Sequence, residues 1–472
     1  MDAEAFAEHL EFPRGRGHAP PASFSGTAGG AACGDLIRID LQVRGDRVSD
    51  AGFDASGCGA AVAAGSAAVE LVRGATVLDA ARLGAHQLSA ALGGLSPGKL
   101  HAADLAADAL HQALGAAVAA DAAPAADPAR TLVAMSGGVD SAVAALLVQR
   151  SGREAVAVTL ELWRDPANDA EASCCSAHAV RLARSVAHRM GLAHFTLDLR
   201  AEFSAGVVAP FLADHAAGLT PNPCVRCNGN VRLDAMLAFA DRLGAAELAT
   251  GHYARVTPDG LLRAAADPGK DQAYMLAALA PASLARLRFP LGGLHKPAVR
   301  ELARAAGLPV ADKRESQDLC FLAGTGKSAF LARHGGLRER PGAIVDCAGR
   351  TVGRHPGQHL FTIGQRKGLG VAAEEPLFVL AKDRAANTLT VGTRSELATH
   401  EVAVRDAVLH RPGAEVDRVK LRYRTAPLPC RVVAGEGGRL GLRLAEPVDG
   451  AAPGQVACLM RGDVIVGHGL IA

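Results

Sequence analysis

The sequence predicts a multidomain chain: an N-terminal α+β domain, an α/β domain on a doubly wound parallel sheet, a small central domain and a C-terminal β-barrel. Three observations predict it. The chain has 472 residues, the length of about three or four domains. From Thr131 onward, apolar strand-like runs alternate with helix-like runs, the βαβ order of a parallel sheet. From about Gly342 the pattern changes to short alternating runs broken by Gly and Pro.

In the first domain LIRIDLQV and RVSDAGFDA alternate like a hairpin, and GCGAAVAAGSAAVELVRG and LHAADLAADALHQAL read as helices. The run from Ala117 to Arg130 is rich in Ala and Pro without an apolar period and reads as an interdomain linker. TLVAMSGGVDSAVAALLVQRSG then reads as strand, Gly-rich turn and helix. EAVAVTLELW, HFTLDL and ELATGHYARV supply further strands, with AHAVRLARSVAHRMG a helix between the first two. LFVLAKDRAANTLTVG, DRVKLRYRTA and PCRVVAG are strands of the tail. The domain ranges are a tail at 1–23, then 24–118, a linker at 119–130, then 131–325, 326–395 and 396–472.

Composition excludes some classes. No uncharged apolar run reaches the roughly 18 residues of a membrane span. The acidic start, MDAEAFAEHLEF, lacks the basic and apolar regions of a secretion signal, which points to the cytoplasm. Ten cysteines over this length are not a disulfide scaffold; reduced thiols suited to metal, cluster or sulfur chemistry are expected. Residues 1–118 carry 8 Lys+Arg against 13 Asp+Glu, whereas the whole chain is +2. A mildly acidic head thus precedes a mildly basic body.

Four groups of residues carry chemistry. Ser136-Gly137-Gly138-Val139-Asp140-Ser141 follows a strand and opens a helix. Its glycines allow a tight turn that aims amides and hydroxyls at an anion, and the helix dipole adds favourable charge. The plainer reading is an ordinary glycine turn. Cys224-Val225-Arg226-Cys227 follows Thr220-Pro221-Asn222-Pro223; two thiols at this spacing chelate a metal or cluster or form a redox pair. Cys320 is either a third ligand, leaving one iron of a cubane open, or a buried small hydrophobe. In the head, Cys33, Asp35, Cys58 and His101 offer a metal-ligand set, although each alone reads as structural. Gly324-Thr325-Gly326-Lys327-Ser328 mimics the end of a Walker loop, but Phe321 stands where the first glycine belongs, so it reads as a surface loop. Cys174-Cys175 reads as a loop, Cys347, Cys430 and Cys458 as core thiols, and His188 and His194 as structural.

MSGGVDSAVAALL, TPNPCVRCN, ATGHYAR, KDQAYML, ESQDLCFL, LFTIGQRKGLGV and VKLRYR occur in this order. From about Thr131 to the C-terminus the chain resembles the MnmA (TrmU) family of tRNA 2-thiouridylases. The resemblance implies that Ala134, Met135, Ser136, Gly137, Gly138, Val139, Asp140 and Ser141 form a pyrophosphate-binding loop for ATP and Mg2+, and that Leu160 and Gly251 bound the adenosine pocket. It implies tRNA contacts at His252, Lys270, Asp271, Gln272, Arg422, Tyr423 and Gln455. It makes Cys227 the nucleophile position and Cys320 the second catalytic cysteine. Many members have Asp where this chain has Cys224 and are described as using a persulfide; the Cys-x-x-Cys form resembles cluster-dependent thiolases and implies a [4Fe–4S] cluster on Cys224, Cys227 and Cys320.

Residues 24–118 resemble the NifU/IscU iron–sulfur scaffold domain, through Ala32–Asp35, Gly57–Ala60 and Lys99–His101. That family has Cys after the His, where this chain has Ala102. The head is expected to hold iron or zinc at Cys33, Asp35, Cys58 and His101, or to dock and transfer clusters, rather than to build them alone. The expected activity is ATP-dependent adenylation of the wobble uridine O2 followed by sulfur transfer, with tRNA and a cysteine desulfurase or other sulfur donor as partners. The alternatives are a persulfide route to the same product, an amidotransferase-type ATP pyrophosphatase, and an iron–sulfur carrier with a vestigial nucleotide domain.

Overall fold

The computed structural model describes residues 3–29, 34–120, 124–165, 177–313 and 319–472. Cys33, Cys174, Cys175 and residues 121–123 of the expected linker lie outside them. The chain divides into two compact units: residues 1–200, 234–252 and 286–320, and residues 201–233, 253–285 and 321–472.

The first unit begins with helix α1 (Ala3–Glu11) and an antiparallel sheet of β1 (Phe24–Gly29), β2 (Leu36–Arg44) and β3 (Arg47–Ser56). Alternation builds the expected hairpin: Ile37, Ile39 and Leu41 are fully buried, and Leu41 pairs with Ala51 and Ile39 with Phe53. Helices α2 (Gly59–Val72), α3 (Val77–Ala80), α4 (Ala85–Ala91) and α5 (Leu100–Ala120) complete the head. Their many alanines let α2 and α5 approach each other and the sheet closely; Ala63, Ala64, Ala106 and Ala113 are fully buried.

A second sheet follows: β4 (Asp127–Ala134), β5 (Glu154–Glu161), β6 (Ala193–Asp198), β7 (Ala245–Thr250) and the short strand Leu287–Arg288. All neighbours pair parallel, in the order Leu287–Arg288, β7, β4, β5, β6. Helices α6 (Val139–Arg150) and α7 (Ala177–Arg189) connect β4 to β5 and β5 to β6. The chain moves outward from β4 through β5 to β6, then returns to place β7 on the other side of β4. That reversal makes a crevice at the carboxyl ends of β4 and β7, where open α/β sheets bind ligands.

The head covers the edge strand β6 of this sheet. His194 N donates to Ala81 O at 2.9 Å, and His111 Nδ1 donates to His194 O at 2.6 Å. Gly115 of α5 lies so near Thr196 that a Cβ there would stand 1.9 Å from its carbonyl oxygen. Asp108 accepts from Arg181 Nε and Arg184 Nη1, both at 2.6 Å, and Arg184 is 3% exposed. These contacts occupy backbone groups that an open edge would offer to other strands. The head is therefore packed on the sheet. Asp108→Ala should leave Arg184 buried without its carboxylate and cost about 3 kcal/mol or more. Calorimetry should show a lower melting temperature; an unchanged one would mean the seam is not stabilised by this pair.

In the second unit, strands Gly342–Val345, Thr351–His355, Phe378–Asp383 and Thr388–Gly392 form a four-stranded sheet over Ile344, Val379, Leu389 and Val391, all fully buried. Strands Ala398–Leu409, Arg418–Lys420, Leu428–Ala434, Leu440–Asp449, Val456–Arg461 and Val464–Ile471 form the terminal sheet. Its first and last strands pair with each other, which closes the barrel around Val404, Val419 and Leu459. One expectation is corrected here. ELATGHYARV is not one strand of the parallel sheet: β7 ends at Thr250, and Arg255–Val256 pairs with Leu262–Arg263, which joins the barrel sheet at Val464. Gly251 and His252 break the run because the chain must turn there.

Candidate active site and metal-ligand cluster

Ser136–Ser141 lies at the carboxyl end of β4, at the sheet's reversal. Ala134 and Met135 end the strand in the core, 7% and 3% exposed. Gly137 has φ +66°, a conformation that favours glycine, and Gly138 caps α6 with no side chain over the first-turn amides. Val139 anchors the helix start in the core at 3% exposed. Ser141 Oγ accepts from Ser136 N at 3.1 Å and donates to Gly138 O at 3.1 Å, which holds the turn in shape. Gly251, following β7, packs against this helix start: a Cβ there would lie 2.7 Å from Ser141 N and 2.8 Å from Asp140 C. Leu160, near the end of β5, is 7% exposed.

Two lysines that sequence reasoning missed converge on the same turn. Lys296, the first residue of helix Lys296–Ala305 and 8% exposed, donates to both Asp140 carboxylate oxygens at 2.7 and 2.8 Å. Lys313 Nζ donates to Gly137 O at 3.0 Å. No sequence motif marks either lysine. A turn with open first-turn amides, two hydroxyls, a carboxylate and two ammonium groups suits a polyphosphate with its metal ion. Glu161, after Leu160, has its carboxyl pKa raised by burial and accepts from Gln112 of α5 at 3.1 Å.

The second unit presents the cysteine motif. Asn222 Oδ1 accepts from Cys224 N at 3.1 Å and Val225 N at 3.3 Å, capping the short helix Pro223–Cys227 with Pro at its first position. Cys224 and Cys227 are one turn apart and so share a helix face. Neither is in a disulfide; Cys224 is half-buried and Cys227 is 8% exposed. A π turn, Asn228–Arg232, follows directly. Burial raises the Tyr423 phenol pKa, and the charges of Arg424, Asp271, Lys270 and Cys224 also act on it, so barrel and cysteine helix share one neighbourhood. Cys320, half-buried, belongs to the first unit.

The residues expected to meet RNA also hold the framework. Asp271 accepts from Ala265 N at 3.0 Å and pairs with Lys420 at 3.3 Å, and Gln272 Oε1 accepts from Tyr253 N at 3.0 Å. Arg422 donates to Ile363 O and Gly450 O, both at 3.3 Å, and Gln455 Nε2 donates to Thr220 O at 2.8 Å. His252, in the first unit, meets Thr250 Oγ1 at 2.8 Å and the ring of Phe289 edge-on.

In the head, Asp35, Cys58 and His101 present ligand atoms that all lie within 4.8 Å of one another. Asp35 is 4% exposed; its carboxylate accepts from Cys58 N at 2.8 Å, Cys58 Sγ at 3.2 Å and His101 Nε2 at 3.0 Å. Those bonds, the Cys58 amide first, hold its pKa below the ordinary carboxylate range. His101 Nδ1 donates to Gly98 O at 3.0 Å, which turns Nε2 toward the cluster. One sulfur, one imidazole and one carboxylate suit zinc or iron and leave a position for a further ligand. Ala102 is fully buried in α5. Cys58→Ser should reduce metal retained by the full chain after gel filtration to well below wild type, with the melting temperature of metal-stripped protein unchanged; equal retention would remove Cys58 from the ligand set.

Cys458 is fully buried, with its thiol pushed up to about 12 by burial, and burial pushes half-buried Cys430 to about 11. Cys347 is not a core thiol: it is exposed, in the turn after strand Gly342–Val345, where a hydrogen bond to Glu396 raises its pKa. Among the described residues no helix is long and apolar enough to cross a membrane.

Four family models match in series: a NifU-like N terminal domain at 2–120, a tRNA methyl transferase HUP domain at 129–324, a tRNA methyl transferase PRC-barrel domain at 328–393 and an aminomethyltransferase beta-barrel domain at 399–471. The "Bifunctional protein NifU/MnmA" of Rubrobacter xylanophilus is 43% identical over 98% of this chain and 97% of its own length. The "tRNA-specific 2-thiouridylase MnmA" of Geobacter metallireducens is 40% identical over 72% of this chain and 96% of its own, and its namesake from Acidithiobacillus ferrooxidans 42% over 72% and 98%. The head, the parallel sheet with its glycine turn, the central sheet and the closed barrel follow the order of the matched domains, and this chain belongs to the bifunctional NifU/MnmA family.

Proposed function

We propose that this chain is a tRNA-uridine 2-sulfurtransferase that activates the wobble uridine with ATP and replaces its 2-oxygen with sulfur. The observation that carries the reading is the turn Ser136–Ser141, with Lys296 on Asp140 and Lys313 on Gly137, at the reversal of a parallel sheet. Uridine O2 attacks the α-phosphorus of ATP, the bond to pyrophosphate breaks, and the base becomes an O-adenylate. Sulfur then adds at C2, and AMP departs with the original oxygen. The turn amides, the serine hydroxyls and the two lysines stabilise charge on the leaving pyrophosphate, with Mg2+ beside Asp140. Leu160 and Gly251 bound the adenosine.

Lys270, Gln272, Arg422, Tyr423, Gln455 and His252 would contact the tRNA. Asp271, which shares Lys420 with the barrel, would orient Lys270 and Gln272 rather than face a phosphate. The target base must leave its stack to reach the adenylating turn.

Cys224 and Cys227, two reduced thiols on one helix face, fit ligation of an iron–sulfur cluster, with Cys320 as third ligand. Such a cluster would supply the sulfur atom. In the persulfide reading, Cys320 carries that sulfur and Cys227 assists its release. A cysteine desulfurase or other sulfur donor loads either. In the head, Asp35, Cys58 and His101, with Cys33, would hold iron or zinc and receive or pass on that metal.

The test is a thiolation assay with unmodified tRNA, ATP, Mg2+ and sulfide under anaerobic conditions. Pyrophosphate release that depends on tRNA, with 2-thiouridine as product, is expected. Pyrophosphate release stimulated by a small amine acceptor, and not by tRNA, would favour an amidotransferase-type synthetase. Iron binding without any ATP turnover would favour a carrier.

A further inference from the structure

The run Gly324–Ser328 has no part in the proposed adenylation. It leads into helix Lys327–Gly335 of the second unit, with Gly324 and Gly326 both at φ +77°. Lys327 Nζ donates to Leu360 O at 3.1 Å. Lys382, from strand Phe378–Asp383, donates to the next carbonyl, Phe361 O, at 2.9 Å. Two ammonium groups from different elements are thus drawn to one turn of the chain. Both side chains are half-buried, and among the described residues neither pairs with a carboxylate.

Among the described residues, no carboxylate is a principal influence on the charges of Lys327, Lys382 or His215. His215, 4% exposed, packs here with Nδ1 lacking a hydrogen-bond partner among the described residues. Burial and then the charges of Lys327 and Lys382 push its pKa down to about 3, so the ring is neutral. Burial lowers the pKa of Lys327, and burial followed by the charge of Lys327 brings Lys382 to about 8. Two like charges held close and half out of water are costly, and proteins ordinarily pair such groups. A carbonyl takes one of the three donors of each ammonium, leaving four for an anion with several oxygens.

We propose that Lys327 and Lys382 form a phosphate-binding pair whose ligand is a backbone phosphate of the tRNA. The proposal rests on the tRNA reading above. It favours the backbone over a base because the pair offers point charges and no planar or bidentate group to read a base edge; such contacts fix register without selecting sequence.

The experiment compares wild type with Lys327→Gln, Lys382→Gln and the double variant. Glutamine keeps an N–H for the carbonyl and removes the charge. Dissociation constants for an unmodified tRNA transcript are measured by filter binding between about 50 and 200 mM KCl. The double variant should bind with a slope of log K against log salt shallower by about 1, equivalent to about tenfold weaker binding at 0.1 M, and equally so for different tRNAs. An unchanged slope with a lowered melting temperature would overturn the proposal, leaving the lysines as caps on two carbonyls. An unchanged slope, with inorganic phosphate raising the melting temperature of wild type but not of the double variant, would assign the pair to a free anion and overturn the tRNA assignment. If wild type retains no tRNA at any salt concentration, the proposed function falls with it. Retention with wild-type slopes throughout sinks only the phosphate pair.

Discussion

Asp140→Asn should lower tRNA-dependent AMP formation by about 100-fold or more in a chain that stays folded, with a melting temperature lowered less than by Asp140→Ala. The carboxylate stands where Mg2+ and the ATP phosphates are placed in the proposed reaction, and losing one preorganised charge contact at a reacting phosphate typically costs this much. Asparagine is the informative replacement because of Lys296. That ammonium is 8% exposed and sits 2.7 and 2.8 Å from the two Asp140 oxygens. Asp140→Ala removes both contacts from a nearly buried cation, a change that costs about 3–5 kcal/mol, so a dead alanine variant could simply be unfolded. Asparagine keeps the length and one acceptor oxygen. AMP release is followed by chromatography and stability by calorimetry on the same sample. Wild-type AMP formation in a folded Asp140→Asn variant would refute the assignment of this turn to ATP.

The expected parallel sheet and barrel appear in the structure because their signals are local. β4, the glycine turn and α6 are contiguous, so six residues announce the strand–turn–helix that is proposed to bind ATP. The same holds for Asn222-Pro223 before Cys224, where cap and proline are read directly from sequence. The two lysines on the turn were not legible: Lys296 lies 156 residues from Asp140 and Lys313 176 from Gly137, and an isolated lysine carries no pattern. The seam between head and sheet was hidden for the same reason. His111, His194, Asp108 and Arg184 look like scattered polar residues until α5 is laid on β6. Arg255–Val256 was assigned to the wrong sheet because two residues hold too little alternation to show which face they bury. The Gly324–Ser328 run was dismissed on its missing glycine, a test of one phosphate-binding loop that says nothing of Lys382, 55 residues on from Lys327.

Cys224→Asp separates the two proposed sulfur routes. The thiol is half-buried at the first turn of helix Pro223–Cys227, and its backbone amide is already held by Asn222. An aspartate fits there without disturbing the cap, since the cap uses the amide and not the side chain. Under the cluster reading, a hard carboxylate replaces a soft thiolate ligand, and the iron–sulfur core should become labile. Iron content should then fall well below wild type, and sulfide-driven thiolation by about tenfold or more, since losing even an outer-shell partner of a metal ligand typically costs that much. Tyr423, on whose phenol the charge of Cys224 acts, provides a control: Tyr423→Phe should leave iron content unchanged, because iron–sulfur clusters are held by cysteine thiolates and not by a phenol. Under the persulfide reading, Cys224 has no obligatory role, so Cys224→Asp should thiolate tRNA at the wild-type rate with a persulfide donor and no iron. Iron, acid-labile sulfide and 2-thiouridine are measured on the same anaerobically reconstituted samples. Full activity of iron-free wild type, or of the Asp variant without iron, would sink the cluster reading and leave Cys227 and Cys320 as a persulfide pair.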